Sequence, residues 1–174
     1  MALGAGLSLQ ISEVVAKIVL DEFLLNAKVK AVGAIDDSLN NEDYNFLTVT
    51  DGLATPWRQT NPLKSIRYKE AFLKIGDIYL VYPTDPAVQN KIKLMPSAER
   101  GIFYVSRFAV QANLSMGMGM SLSGAVDGLN KRFLALTEAS IFPMFPANST
   151  ELPKLMPVAL LNRAKISHYH PVEG

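Results

Sequence analysis

The fifteen residues Phe108 to Leu122, FAVQANLSMGMGMSL, alternate without a break. Even positions are Phe108, Val110, Ala112, Leu114, Met116, Met118, Met120 and Leu122; odd positions are small or polar, from Ala109 and Gln111 to Gly119 and Ser121. A period of two puts every apolar side chain on one side of an extended backbone, which reads as a half-buried strand. Gly117 and Gly119 on the opposite side would let a neighbouring backbone approach or the strand bend. This stretch decides the reading of a more ambiguous one. Val14, Val15, Ile18, Phe23 and Leu25 fit one face of a helix, yet they also fit two strands, Val14 to Leu20 and Phe23 to Ile35, joined near Asp21-Glu22.

The link between the two regions is an internal correspondence. At an offset of 87, Phe46-Leu47-Thr48-Val49-Thr50-Asp51 falls on Phe133-Leu134-Ala135-Leu136-Thr137-Glu138, and Pro56 on Pro143. At 88, Ala71, Leu73, Ile78 and Pro83 fall on Ala159, Leu161, Ile166 and Pro171. The slip lies in the loop-like region after Trp57 and Met144. Further strands are expected at Phe46 to Thr50, Ile66 to Lys74 and Ile78 to Tyr82, and again at Phe133 to Thr137, Pro157 to Leu161 and Ile166 to His170. Asp85-Pro86 offers an N-cap with proline at the first helical position, and Val88, Ile92 and Met95 share a face, so a two-turn helix is expected before Pro96. The fold class read from this is all-β: two tandem, five-stranded, strongly bent small β-barrels at 12–86 and 99–174, joined by a short helix within 87–98. Each copy is small enough to need the other.

Composition excludes several chemistries. The 174 residues contain no cysteine and two histidines, which removes disulfides, thiolate metal sites and cysteine nucleophiles. With 49% hydrophobic and 19% charged residues the chain can fill a core. Met1 to Gln10 carries no charge and Glu13 and Lys17 follow, unlike a secretory signal, and no apolar run approaches the ~20 residues that span a bilayer. A cytoplasmic protein is expected. The sequons Asn113-Leu114-Ser115 and Asn148-Ser149-Thr150 then read as chance matches. Net charge is +1, divided as 8 basic against 11 acidic residues in 1–87 and 9 against 5 in 88–174. The two halves complement each other electrostatically, and the second would attract anions mildly.

The order of elements resembles the Sm-like fold: a short helix, a long hairpin, an acidic loop, a strand beginning Asn45-Phe46-Leu47-Thr48-Val49, then Leu73-Lys74-Ile75-Gly76-Asp77-Ile78 ending at Pro83. The resemblance spans most of the chain when counted twice. It implies edge-strand assembly into rings and single-stranded RNA binding near two loops. Asn45 and Gly76 match the loop positions in the first copy, whereas Asp43 stands where a base-stacking residue is expected and Ile75 replaces an arginine. The second copy offers Arg132 and Asn162-Arg163. The chain is also similar to small bacterial β-domains of no assigned activity that share the pattern of Leu39-Asn40, Phe46-Leu47 and Asn162-Arg163.

Candidate binding residues are therefore Asn45, Arg132, Asn162, Arg163 and Lys165, together with Trp57, Arg58, Arg67 and Tyr68, the best aromatic-with-cation grouping. An RNA loop needs stacking surfaces and cations, and Asp43 supplies a repelling charge instead. His168 and His170 share a strand face, but only Glu173 is near as a third ligand, so no metal site is expected. The acidic stretch Asp36, Asp37, Glu42 and Asp43 lacks the spacing of a calcium loop. Gly4-Ala5-Gly6 and Gly117 to Gly119 are not phosphate loops, and no nucleophile elbow occurs. The Met116, Met118 and Met120 row reads as core filling. No cofactor or catalytic residue is expected. The leading expectation is a non-enzymatic binding or assembly module that self-associates through edge strands. The alternatives are an Sm-like RNA binder and a small-molecule or enzymatic site in the groove between copies.

Overall fold

The computed structural model describes residues 11–58, 61–145 and 153–172. Asn148-Ser149-Thr150, Glu173 and Gly4 to Gly6 lie outside them. The described residues form ten strands: β1 (Ile11–Val19), β2 (Phe23–Val32), β3 (Phe46–Pro56), β4 (Ile66–Lys74), β5 (Leu80–Pro83), β6 (Ser97–Val105), β7 (Phe108–Met116), β8 (Phe133–Pro143), β9 (Met156–Asn162) and β10 (Ile166–Pro171). Helices α1 (Ile35–Asn40), α2 (Pro86–Gln89) and α3 (Leu122–Gly128) are short. No helix among the described residues is long and apolar enough to cross a membrane.

The strands make one open, antiparallel sheet in the order β10-β6-β7-β8-β9-β5-β1-β2-β3-β4. The first half thus runs β5-β1-β2-β3-β4 and the second β10-β6-β7-β8-β9. Registers match as well: Phe46 faces Lys74 as Phe133 faces Asn162, and Gly52 faces Tyr68 as Ala139 faces Met156. In each half the long third strand is bent at a register shift beside a non-glycine residue of positive φ, Asp51 (51°) or Glu138 (50°).

The all-β class is as expected; the pair of separately closed barrels is not what the strand pairing gives. Closure of a half would bring its fourth and fifth strands together. Instead the four-residue β5 has β1 on one side and β9 on the other, so both its edges are used. The sheet wraps two apolar clusters. Strands β5 and β9 lie between them, with Leu80, Met156, Ala159 and Leu161 facing the second-half cluster and Val81, Val158 and Leu160 facing the first. Burial on both sides explains why β9 reads as a nearly unbroken apolar run.

Three local expectations shift. The Phe108 to Leu122 alternation ends as a strand at Met116, because Ser121 accepts from Gly124 N and caps α3, which starts at Leu122. Met116 is buried, whereas Met118, beyond the strand end, is 80% exposed. Ile35 likewise opens α1 rather than closing β2. The linking helix is a single turn, capped by Asp85 through Ala87 N at 2.8 Å.

Candidate functional site

The joint between the halves is built from β5 and β9. Leu80 pairs with Leu161 and Val81 with Leu160, and all four are buried. Asn162 ends β9 with no exposure. Its Nδ2 donates to the carbonyls of Ile78 (2.8 Å) and Ile75 (3.5 Å), its Oδ1 accepts from Ala164 N, and its own N–H donates to Tyr79 O. A buried amide is stable only with such partners. Beside it Phe133 sits in the first-half cluster with Leu39, Ile75, Ile78 and Val81, and its N–H donates to Asn40 Oδ1 at 2.7 Å. Arg132 Nη1 donates to Tyr44 O at 2.9 Å across the same joint. In the other direction Trp57, Val19 and Leu24 enter the second-half cluster, with the Trp57 ring 4.9 Å from Phe108.

A cavity of about 410 Å³ opens on this joint, lined by Asn40, Glu42, Asn130, Lys131, Arg132 and Arg163, with Ala164. Three cations face one carboxylate there, so the cavity suits an anionic or polar ligand. Two of the cations are already engaged: Arg132 by Tyr44 O, and Arg163 by the carbonyl of Leu129. Lys131 is half-buried.

The remaining candidate residues are dispersed. Trp57 is 1% exposed and part of the core, leaving no stacking face for a base. Arg58 lies over the Phe145 ring at 5.7 Å. Arg67 is exposed on β4. Tyr68, next to it in sequence, turns its ring over Gly52, and its buried hydroxyl has no hydrogen-bond partner among the described residues; burial raises the phenol pKa. Asn45 accepts from Ile75 N through its carbonyl. Lys165 approaches Asp77 (3.9 Å) and the face of Tyr79 (5.3 Å). His168 stacks on Tyr104 at 4.1 Å, with His170 Nε2 3.4 Å from the Tyr104 hydroxyl. No group of three or more metal-ligating side chains occurs among the described residues.

Arg67 and Tyr68, expected from the sequence as binding residues, lie on one outer edge, β4. β4 is exposed along most of its length, and its Phe72 (65%) and Phe46 (59%) of the neighbouring β3 stand out of the surface. At the far end β10 is equally uncovered. Next to it lies a cavity of about 380 Å³ lined by Val126, Asp127, Arg163, Ile166, Ser167 and Tyr169. Comparison with protein-family models, with curated proteins and with solved structures finds no match to this chain.

Proposed function

We propose that the protein is a non-enzymatic assembly module, built from a duplicated small β-barrel unit, that self-associates by pairing its two free edge strands. The observation that carries this reading is the strand order. The β5–β9 joint uses the fifth-strand edge of the first half and the fourth-strand edge of the second. That leaves one edge of each kind, β4 and β10, at the ends of the sheet. Unpaired edge strands are templates for further strands. Identical strand orders and registers in the halves support the duplication, as do the matched bends at Asp51 and Glu138. Each apolar cluster is drawn mainly from one half, which supports the small-barrel description.

Sedimentation velocity of the full chain across a wide concentration range tests this. Species heavier than the 19.0 kDa monomer are expected, reduced by Phe72→Asp on β4 or Tyr169→Asp on β10. A wild-type chain that stays monomeric throughout overturns it.

A second reading, single-stranded RNA binding, is favoured by the cavity that gathers Lys131, Arg132 and Arg163. Because the two arginines also hold backbone carbonyls, Lys131→Ala is the cleaner probe. Anisotropy of an unstructured RNA should show affinity that weakens with salt and with this variant. Absence of binding at low salt removes it.

A further inference from the structure

The free end of β3–β4 and the cavity beside β10 correspond in position to the two sides of the joint already formed inside the chain. Phe46 and Phe72 occupy the positions that Phe133 and Leu160 hold in the second half. Phe133 (1%) and Leu160 (0%) are buried in the neighbouring half's cluster, whereas Phe46 and Phe72 are 59% and 65% exposed. On the receiving side, Leu39, Ile75, Ile78 and Val81 share a cluster with Phe133, Asn40 Oδ1 accepts from Phe133 N–H, and Tyr79 O accepts from the N–H of the neighbouring Asn162. Their counterparts in the second half are Val126, Asp127, Arg163, Ile166, Ser167 and Tyr169, which are the residues lining the 380 Å³ cavity. Among the described residues, one end of the molecule therefore presents a plug without a socket, and the other a socket without a plug.

We infer that a second copy of this chain seats its Phe46 in the cavity formed by Val126, Ile166 and Tyr169, with β4 of one copy paired to β10 of the next. The inference rests on the assembly reading above and names its contact. Transferring the register of β5–β9 sets Phe72 opposite Tyr169 and Leu73 opposite His168. Two backbone donors gain acceptors in this arrangement. Phe46 N–H meets the carboxylate of Asp127 in the next copy, where Phe133 N–H now meets Asn40. Lys74 N–H meets Ser167 O, where Asn162 N–H now meets Tyr79 O. Asp127 in place of asparagine makes the first bond charge-assisted. It also sets a negative charge near Lys74, whose counterpart Asn162 is neutral.

The test compares wild type with Phe46→Ala and Asp127→Lys by sedimentation velocity, with circular dichroism as the control for folding. Both residues are exposed, so the fold should hold. Each variant is expected to weaken self-association at least ~10-fold, as removal of a central aromatic anchor does. Association that survives both variants but is lost in Phe72→Asp keeps the edge-pairing reading and overturns the socket. A monomeric wild type overturns both. The absence of native cysteine allows a second readout. Oxidation of Phe46→Cys/Asp127→Cys should give a ladder of disulfide-linked oligomers, and failure to form it in an associating sample overturns the contact.

Discussion

Strands β9 and β4 hold the same place in their halves and have opposite characters. β9 is buried at every position but Pro157, while β4 has no buried position and carries Arg67, Lys69, Glu70 and Lys74. The difference follows position in the sheet. An inner strand covered on both faces must be apolar throughout, whereas an outer strand carrying lysine resists indiscriminate pairing. The same contrast separates β5, with Leu80 and Val81, from β10, with His168 and Tyr169. The inner joint is apolar on both of its strands, and the outer edges that correspond to it carry polar and charged side chains.

This comparison can be broken most directly at its aromatic pair. Phe133→Ala should cost about 3 to 5 kcal/mol of folding stability, the range for deleting a buried phenylalanine, while Phe46→Ala measured at high dilution should stay within about 0.5 kcal/mol. Equal effects in denaturant titrations would show that the two ends are not different environments. Next in size is the bend. A Cβ added at Gly52 would lie 2.0 Å from the Tyr68 ring, whereas the matching Ala139 faces Met156. Gly52→Ala should therefore destabilise by about 2 to 3 kcal/mol through overpacking, and Gly52→Ala/Tyr68→Met should recover most of it. No recovery would mean that the backbone, not the ring, demands glycine.

Smaller again is Asn162→Ala, which should cost about 2 kcal/mol because the Ile78 carbonyl and Ala164 N–H lose their partner. Lys74→Ala, at the matching edge position, should be neutral. Last comes Tyr68→Phe, which removes a buried hydroxyl that has no partner among the described residues and should stabilise by about 1 kcal/mol. Its pH dependence has a definite sign. Burial raises the pKa of Tyr68, of Tyr79 and of Tyr169, the last also raised by Asp127. The folded state then keeps its phenol protons after the unfolded chain has lost them. Stability held below the ordinary phenol pKa of ~10 declines as pH rises above it. Thermal melts at increasing alkaline pH should fall less steeply for Tyr68→Phe than for wild type.

Much of the architecture was legible, for particular reasons. Alternation over Phe108 to Met116 required only side-chain periodicity and located β7, and the offset of 87 that lays Phe46 on Phe133 located β3 and β8. Strand β6 was missed because Ser97-Ala98-Glu99-Arg100-Gly101 has no apolar alternation; it pairs along β7 through its backbone. The break at Met116 was hidden because Met118 and Met120 continue the period after the strand has ended. Of the candidate site, Arg132, Asn162 and Arg163 do meet at the joint, since both loops fall on the same end of the sheet. Trp57 could not be placed from sequence, because its burial depends on a partner 51 residues away, Phe108. Nor could Phe46 and Phe133 be told apart: identical residues on matching strands differ only in which neighbour is present.

The unlike ends of the sheet also restrict the symmetry of anything built by repeating its internal joint. Two chains cannot meet across that contact by a two-fold axis, since it joins different surfaces. Such an assembly is cyclic or helical, decided by whether the turn per chain divides the circle. Because every chain contributes its halves together, a closed form holds an even number of five-stranded units whatever its diameter.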